Sequence, residues 1–232
     1  RRDSLGHLAT TIYDAASQSI ASIDPLGRTT TTTYDLAGRT IATKDPLGQI
    51  TTTAYNSAGW SFRVTDPIGR STTTSYDFAG RAIAVENPAG EVSTTVYDVV
   101  GRTAATANPL GEITTTVYDV AGRKIATVDP LGHVSTTVLN AANQAIAQIN
   151  PLGQTTTTTF DLAGRTIART NPLGETSTTI FDVGNRPVAQ INPLGQVSTS
   201  TYDAAGRLIA QINPLGQAST MAYDATGKAI RQ

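Results

Sequence analysis

The feature that most constrains this chain is a strict period of 21 residues. Tyr13, Tyr34, Tyr55, Tyr76, Tyr97 and Tyr118 stand 21 apart, and Leu139, Phe160, Phe181, Tyr202 and Tyr223 continue the series. Ten prolines, from Pro25 to Pro214, keep the same step. No insertion or deletion interrupts any of the eleven copies. A chain with this regularity is organised by contacts between neighbouring repeats rather than around one central core.

One repeat, Gly27 to Leu47, reads as two short extended segments and two turns. Segments such as Arg28–Tyr34 and Arg39–Lys44 are rich in Thr, Ile and Tyr, which favour a pleated surface, and the five-Thr run Thr29–Thr33 is a poor helix former. The first turn is Asp45-Pro46-Leu47-Gly48. Pro presets φ at its second position, and Asp or Asn at the first bonds the backbone two residues on. Gly closes it and accepts positive φ, which suits a type I turn with a glycine bulge. The second turn, Asp35-Leu36-Ala37-Gly38, follows the same logic without Pro. Asn143 and Asn185 replace its Gly in two copies, as a left-handed backbone position allows, and Ser17 fits less well.

The expected fold is all-β: one uninterrupted antiparallel β-hairpin meander over residues 1–232, with about 22 strands from eleven repeats. At roughly 4.8 Å per strand, each repeat advances about 10 Å and the whole spans about 100 Å. The two-residue strand period puts Ile50 and the invariant Thr three before the aromatic on one face; Tyr34, Tyr55 and their equivalents take the other with the Thr two before them. Neither face is strongly polar, so the sheet is expected to coil into a tube, spiral or solenoid-like fibre, or to pack on further copies. Two identical turns would place the Ile41 phase on opposing faces of its strand. Either one turn differs or a further bulge intervenes.

Composition excludes several classes. The net charge is −1 with 15% charged residues, so nothing resembles a phosphate-neutralising stripe and nucleic acid is not an expected partner. No long apolar run or polybasic segment points to a membrane. Cys is absent, so thiol chemistry is too. No catalytic, cofactor-binding or metal-binding residue is expected. His7 and His133 share a phase just after the turn Gly, where other copies place Arg28, Gln49, Glu91 or Gln154, and this reads as a solvated position. The Asp phases suggest a calcium ladder, but the Asp of the Pro turn becomes Asn in six of eleven copies, which removes charge from a metal site and costs a turn nothing. Glu86, Glu91, Glu112 and Glu175 are scattered over two phases without a recurrent acid pair. No G-x-S-x-G elbow accompanies the serines. The Thr ladders could form an ice-binding array or carry O-glycans; cross-strand Thr pairing accounts for them with less. Trp60 stands where most copies have Arg, with no function assigned.

The pattern Tyr34-Asp35-Leu36-Ala37-Gly38-Arg39 followed by Asp45-Pro46-Leu47-Gly48 resembles the YD-repeat, or RHS-repeat, family. Tyr76–Arg81, Tyr97–Arg102, Tyr118–Arg123 and Tyr202–Arg207 match its Y-D-x-x-G-R motif fully, and Leu139–Gln144 is the most divergent copy. The resemblance implies a β-hairpin spiral of a large secreted or cell-surface bacterial protein, often closed into a hollow shell around a toxin or other cargo. The cleaved cap and toxin domain of such members are not in this sequence. The uniform repeats favour a constant helical path, hence an extracellular filament or tube whose partners are copies of itself. A shell wall around cargo and an adhesin stalk are the alternatives. Both ends fall in the same phase of the repeat, which suggests a segment of a longer protein.

Overall fold

A computed structural model describes residues 8–231; Asp3, Gly6 and His7 lie outside the described residues. The described chain contains no helix and divides into two compact units, residues 1–115 and 116–232. Each unit is an antiparallel meander in which successive strands pair side by side, as from Thr29–Tyr34 to Ser61–Thr65 in the first and from Thr155–Phe160 to Pro187–Ile191 in the second. The repeat supplies a six-residue strand, such as Thr29–Tyr34, and a five-residue strand, such as Thr40–Lys44. In the second unit Thr155–Phe160 and Thr166–Thr170 repeat the same lengths. At the end of the array the long strand is split into Ala218–Thr220 and Ala222–Tyr223, the latter pairing with Ala229–Arg231. That split gives 23 strands rather than about 22 among the described residues.

Both turns have the same backbone. The N–H of Gly48 donates to the Asp45 carbonyl at 3.0 Å, and that of Gly38 to the Asp35 carbonyl at 3.0 Å. The turn glycines take φ near +80°, and Ser17, Asn143 and Asn185 adopt 63°, 63° and 64° in their place. The Ile41 conflict is therefore settled by an extra bulge. Thr33 opposes Ala42 while Tyr34 opposes Thr40, which leaves Ile41 without a partner across the ladder. The same skip falls on Ile20, Phe62 and Ile83 in the first unit and on Ile146, Ile167, Val188 and Ile209 in the second. One bulge per repeat absorbs the odd residue, so both identical turns close without exchanging the faces. Pro187 is accommodated because it opens its strand beside this bulge, where a missing N–H costs least.

The faces follow the period-two expectation. Thr31, Lys44 and Ile50 line up across three strands, as do Thr33, Ala42 and Thr52, while Thr32, Thr43 and Thr51 take the other face with Tyr55. The Thr pairing read from the sequence is direct at two turns: Thr65 Oγ1 meets Ser71 Oγ at 2.9 Å, and Thr170 Oγ1 meets Thr176 Oγ1 at 2.8 Å. No described residue is buried. Apolar strand residues such as Tyr34 and Ile41 are only half-buried, so partial burial along the strands, strand pairing and turn geometry share the stabilisation of a unit.

Gly111 tests the turn assignment cleanly. Its φ is +80° and a Cβ there would meet nothing within 4 Å, so any penalty is purely conformational. Gly111→Val is expected to lower stability by about 1–2 kcal/mol, whereas Gly111→Asn loses less than half of that. Urea unfolding of the two variants checks the ratio; equal losses would mean that crowding, not φ, decides the position.

Candidate functional site

Each turn is built around one carboxylate or amide. Asp35 Oδ1 accepts the backbone N–H groups of Ala37 and Arg39, both at 2.9 Å, and Oδ2 accepts Arg39 Nε at 2.7 Å. Asp77 and Asp161 repeat the arrangement with Arg81 and Arg165. The Pro turns use the same device: Asp45 Oδ1 takes the N–H of Leu47 at 2.9 Å and of Gln49 at 2.8 Å. The side chain thus does the work of a third strand edge, satisfying two turn N–H groups that would otherwise face solvent.

The arginine held in this way reaches the next repeat. Arg39 Cζ lies 4.6 Å from the Tyr55 ring centroid, and the Tyr55 hydroxyl donates to the Thr40 carbonyl at 2.9 Å. Arg81, Tyr97 and the Ala82 carbonyl repeat this at 4.6 and 3.0 Å, and Arg207, Tyr223 and Leu208 at 4.7 and 2.9 Å. The guanidinium also bonds the next turn: Arg123 Nη1 donates to the Asn140 carbonyl at 2.8 Å and Arg186 Nη1 to that of Asp203 at 3.1 Å. One cation therefore joins its own turn carboxylate to the ring and turn of the following copy. A contact of this kind is worth about 0.5–1 kcal/mol at an exposed site. Where Phe181 lacks the hydroxyl, Arg165 still lies 4.7 Å from the ring centroid and adds a bond of 3.1 Å to Asn185 Oδ1. That asparagine holds the left-handed turn position, so the Gly-to-Asn exchange supplies a partner as well as a backbone conformation.

Trp60 belongs to the same ladder. Its ring centroid is 5.4 Å from that of Tyr76 at an interplanar angle of 48°, so an aromatic pair takes the place of the cation over the next tyrosine. A Cβ on Gly80 would come within 2.8 Å of Trp60 Cζ2, so this turn needs Gly for space as well as for its φ of +81°. The substitution has a structural reason that the sequence alone left open.

His133 lies beside Asp129, Nδ1 to Oδ2 at 2.8 Å, and is exposed. Glu91, Glu112 and Glu175 accept the amides of Asn87, Asn108 and Asn171 at 2.7, 2.6 and 2.6 Å. These contacts explain the mixed phase after the Pro turn. Asp is followed four residues later by Arg28, Gln49, Arg70 or His133, and Asn by Glu91, Glu112, Gln154, Glu175, Gln196 or Gln217. Asp never faces Glu. The pairing of first and fifth turn positions is visible in the sequence once the two columns are read together. Read singly, the fifth looks merely solvated. Among the described residues no group of three or more His, Asp or Glu is placed to hold a metal ion. Surface grooves of about 270 and 280 Å³ recur two repeats apart, the first lined by Thr136, Gln148, Asn150 and Gln154 and the second by Thr178, Gln190, Asn192 and Gln196. They are products of the repeat rather than one dedicated cavity.

A core-free β-hairpin meander tied from copy to copy by turn carboxylate, arginine and aromatic ring defines a structural repeat protein. A family model described as RHS Repeat matches residues 13–50, 97–134, 140–176, 181–218 and 202–230, more than half of the chain, and the chain belongs to that family. No curated protein matches the sequence. The fold is similar to that in the crystal structure of TcdB2-TccC3, with 18% identity and a TM-score of 0.58 over 96% of this chain and 14% of that one. It is also similar to a Photorhabdus luminescens Tc holotoxin pore carrying a TccC3 mutation, at 18% identity and a TM-score of 0.56, again over 96% and 14%. TcdB2-TccC3 without its hypervariable C-terminal region gives 16% identity and 0.54 over 96% and 15%. This chain thus spans about one-seventh of the length of those chains.

The ladder makes two measurable claims. Asn56 and Trp60 replace the Asp and Arg of other copies, so Asn56→Asp together with Trp60→Arg rebuilds the ion pair and the cation over Tyr76. In thermal unfolding the double variant is expected to exceed both single variants; strict additivity would remove the proposed coupling. The second claim concerns pH. The backbone N–H of Arg39, and then its guanidinium, hold Asp35 below the ordinary carboxylate value of 3.8, and Arg81 and Arg186 act likewise on Asp77 and Asp182. Folded carboxylates then bind protons less tightly than unfolded ones. Their contribution is present above about pH 4 and is lost as pH falls through the lowered folded values. Tm is expected to be level from about pH 7 to 5 and to drop below about pH 4, with a smaller drop in an Asp35→Asn/Asp77→Asn/Asp182→Asn variant. Circular dichroism melts across that range check it.

Proposed function

We propose that this chain is a non-catalytic wall segment of a larger secreted or cell-surface bacterial protein, an uninterrupted run of RHS repeats whose hairpins stack side by side. The observation that carries the reading is the absence of any buried residue among those described, together with strand pairing and side-chain contacts that run from each repeat to the next. Such a unit can be extended indefinitely without rebuilding a core, which is what a wall requires and what an active-site scaffold does not. The likeness in fold to chains about seven times longer, in Tc toxin structures, supports placing the segment in the wall of a hollow enclosure around cargo.

The constant 21-residue step supports a second reading, an extracellular filament or tube, because equal repeats favour a constant helical path. The two differ in a measurable outcome. Negative-stain electron microscopy of the parent protein is expected to show closed, hollow particles of defined size. Extended fibres of variable length would replace the enclosure with the filament, and a compact globular particle without a cavity or fibre would remove both.

A further inference from the structure

The chain has one methionine, and it stands at a position that the repeat otherwise keeps polar. Two residues before the aromatic phase nine copies carry Thr, as at Thr32 and Thr179, one carries Ser200, and the remaining copy carries Met221. The two-residue strand period puts this side chain on the same face as the aromatic that follows it. Met221 is half-buried there, beside Tyr223. In earlier copies the tyrosine hydroxyl donates to a carbonyl of the preceding strand, Tyr55 to Thr40 at 2.9 Å and Tyr202 to Pro187 at 3.1 Å. Tyr223 has two acceptors within reach, the Leu208 carbonyl at 2.9 Å and Met221 Sδ at 3.5 Å. A phenol has one proton to donate and a thioether is a weak acceptor, so the carbonyl holds it. That bond works together with Arg207, whose guanidinium lies 4.7 Å from the Tyr223 ring centroid, to tie this copy to the one before it.

We propose that Met221 is an oxidation site, with a hydroperoxide as the oxidant, and that its sulfoxide draws the Tyr223 hydroxyl away from the Leu208 carbonyl. A sulfur lone pair attacks one oxygen of the peroxide. The S–O bond forms as the O–O bond breaks, and the departing oxygen takes up a proton and leaves as water or an alcohol. Sulfur loses two electrons and the peroxide gains them. The product carries a strongly polar oxygen one bond from a sulfur that already faces the hydroxyl, where the thioether offered only a weak acceptor. The phenolic O–H turns to the sulfoxide, the Leu208 carbonyl loses its side-chain donor, and the tie between the two copies loosens. Thr or Ser at this position has no such chemistry, so the effect is confined to one copy, and in an array held by neighbour contacts a lost tie stays local. The inference stands apart from the wall and filament readings.

Hydrogen exchange of the 232-residue chain, followed by mass spectrometry before and after treatment with hydrogen peroxide, tests it. The mass is expected to rise by one oxygen, located in the peptide that holds Met221. The Met221 N–H donates to the Ile209 carbonyl at 2.9 Å. Its exchange is expected to quicken about five-fold on oxidation, the effect of one side-chain hydrogen bond, and to return to the starting rate after treatment with methionine sulfoxide reductases. Two variants separate the hydroxyl from the general effect of a polar group on the strand, and both use residues that other copies carry at the same positions, so the fold is kept. Met221→Thr is insensitive to peroxide. Tyr223→Phe, with the residue found at Phe160 and Phe181, exchanges from the start as fast as the oxidised chain, and oxidation adds little to it. A Met221 that peroxide leaves unmodified overturns the inference, as does an oxidised chain that exchanges like the untreated one or an equal quickening in Tyr223→Phe.

Discussion

The backbone hydrogen bonds accepted by one side-chain oxygen at the head of the turns, two of them in most copies, are the interaction on which this structure depends. Asp35 Oδ1, Asp45 Oδ1 and Asn87 Oδ1 hold two backbone N–H groups apiece, and so fix the turn within five residues of chain. A glycine at positive φ then closes the hairpin. With no buried residue among those described, no core exists to impose the hairpins from outside. Local turn chemistry has to specify them, which is why the turn positions vary so little while the strand residues drift.

Coupling between copies comes from the other half of the same side chain. Oδ2 orients an arginine, the arginine covers the next tyrosine, and the tyrosine hydroxyl bonds back to the residue after that arginine. Each bond is weak and partly exposed. Their repetition at every second turn makes stability a sum of small neighbour terms rather than one cooperative core. Departures remain local for the same reason. Trp60 changes one link of the ladder by pairing with Tyr76, and Asn185 compensates at another by bonding Arg165. The bulge at Ile41 and its equivalents has a comparable role in the backbone. It lets two identical turns alternate without turning the sheet over.

Much of this is legible in the sequence alone. The period, the two turns, the strand segments and the two faces follow from Tyr, Pro, Gly and Thr spacing, because turn and strand preferences act over a few residues. The family resemblance was legible too, since eleven copies of one motif leave little ambiguity. The Asx-to-fifth-position pairing was present in the sequence but hidden by reading each column alone; Asp with Arg28 or His133 and Asn with Glu91 or Gln154 are one rule, not scatter. The arginine–tyrosine contact was not legible, because residues 16 apart in the chain meet only once the intervening hairpin is folded.

The sequence by itself therefore determined a β-hairpin repeat with Asx-headed turns and the family to which it belongs, since those depend on local conformational preference. The tertiary structure decided where the extra bulge falls, that Trp60 stands in for an arginine over the next ring, and that the Tyr223 hydroxyl stands within reach of both the Leu208 carbonyl and the Met221 sulfur. Each of these depends on which strands lie side by side and in what register, and a one-residue shift in register, which leaves the residue order of the chain untouched, changes every such contact.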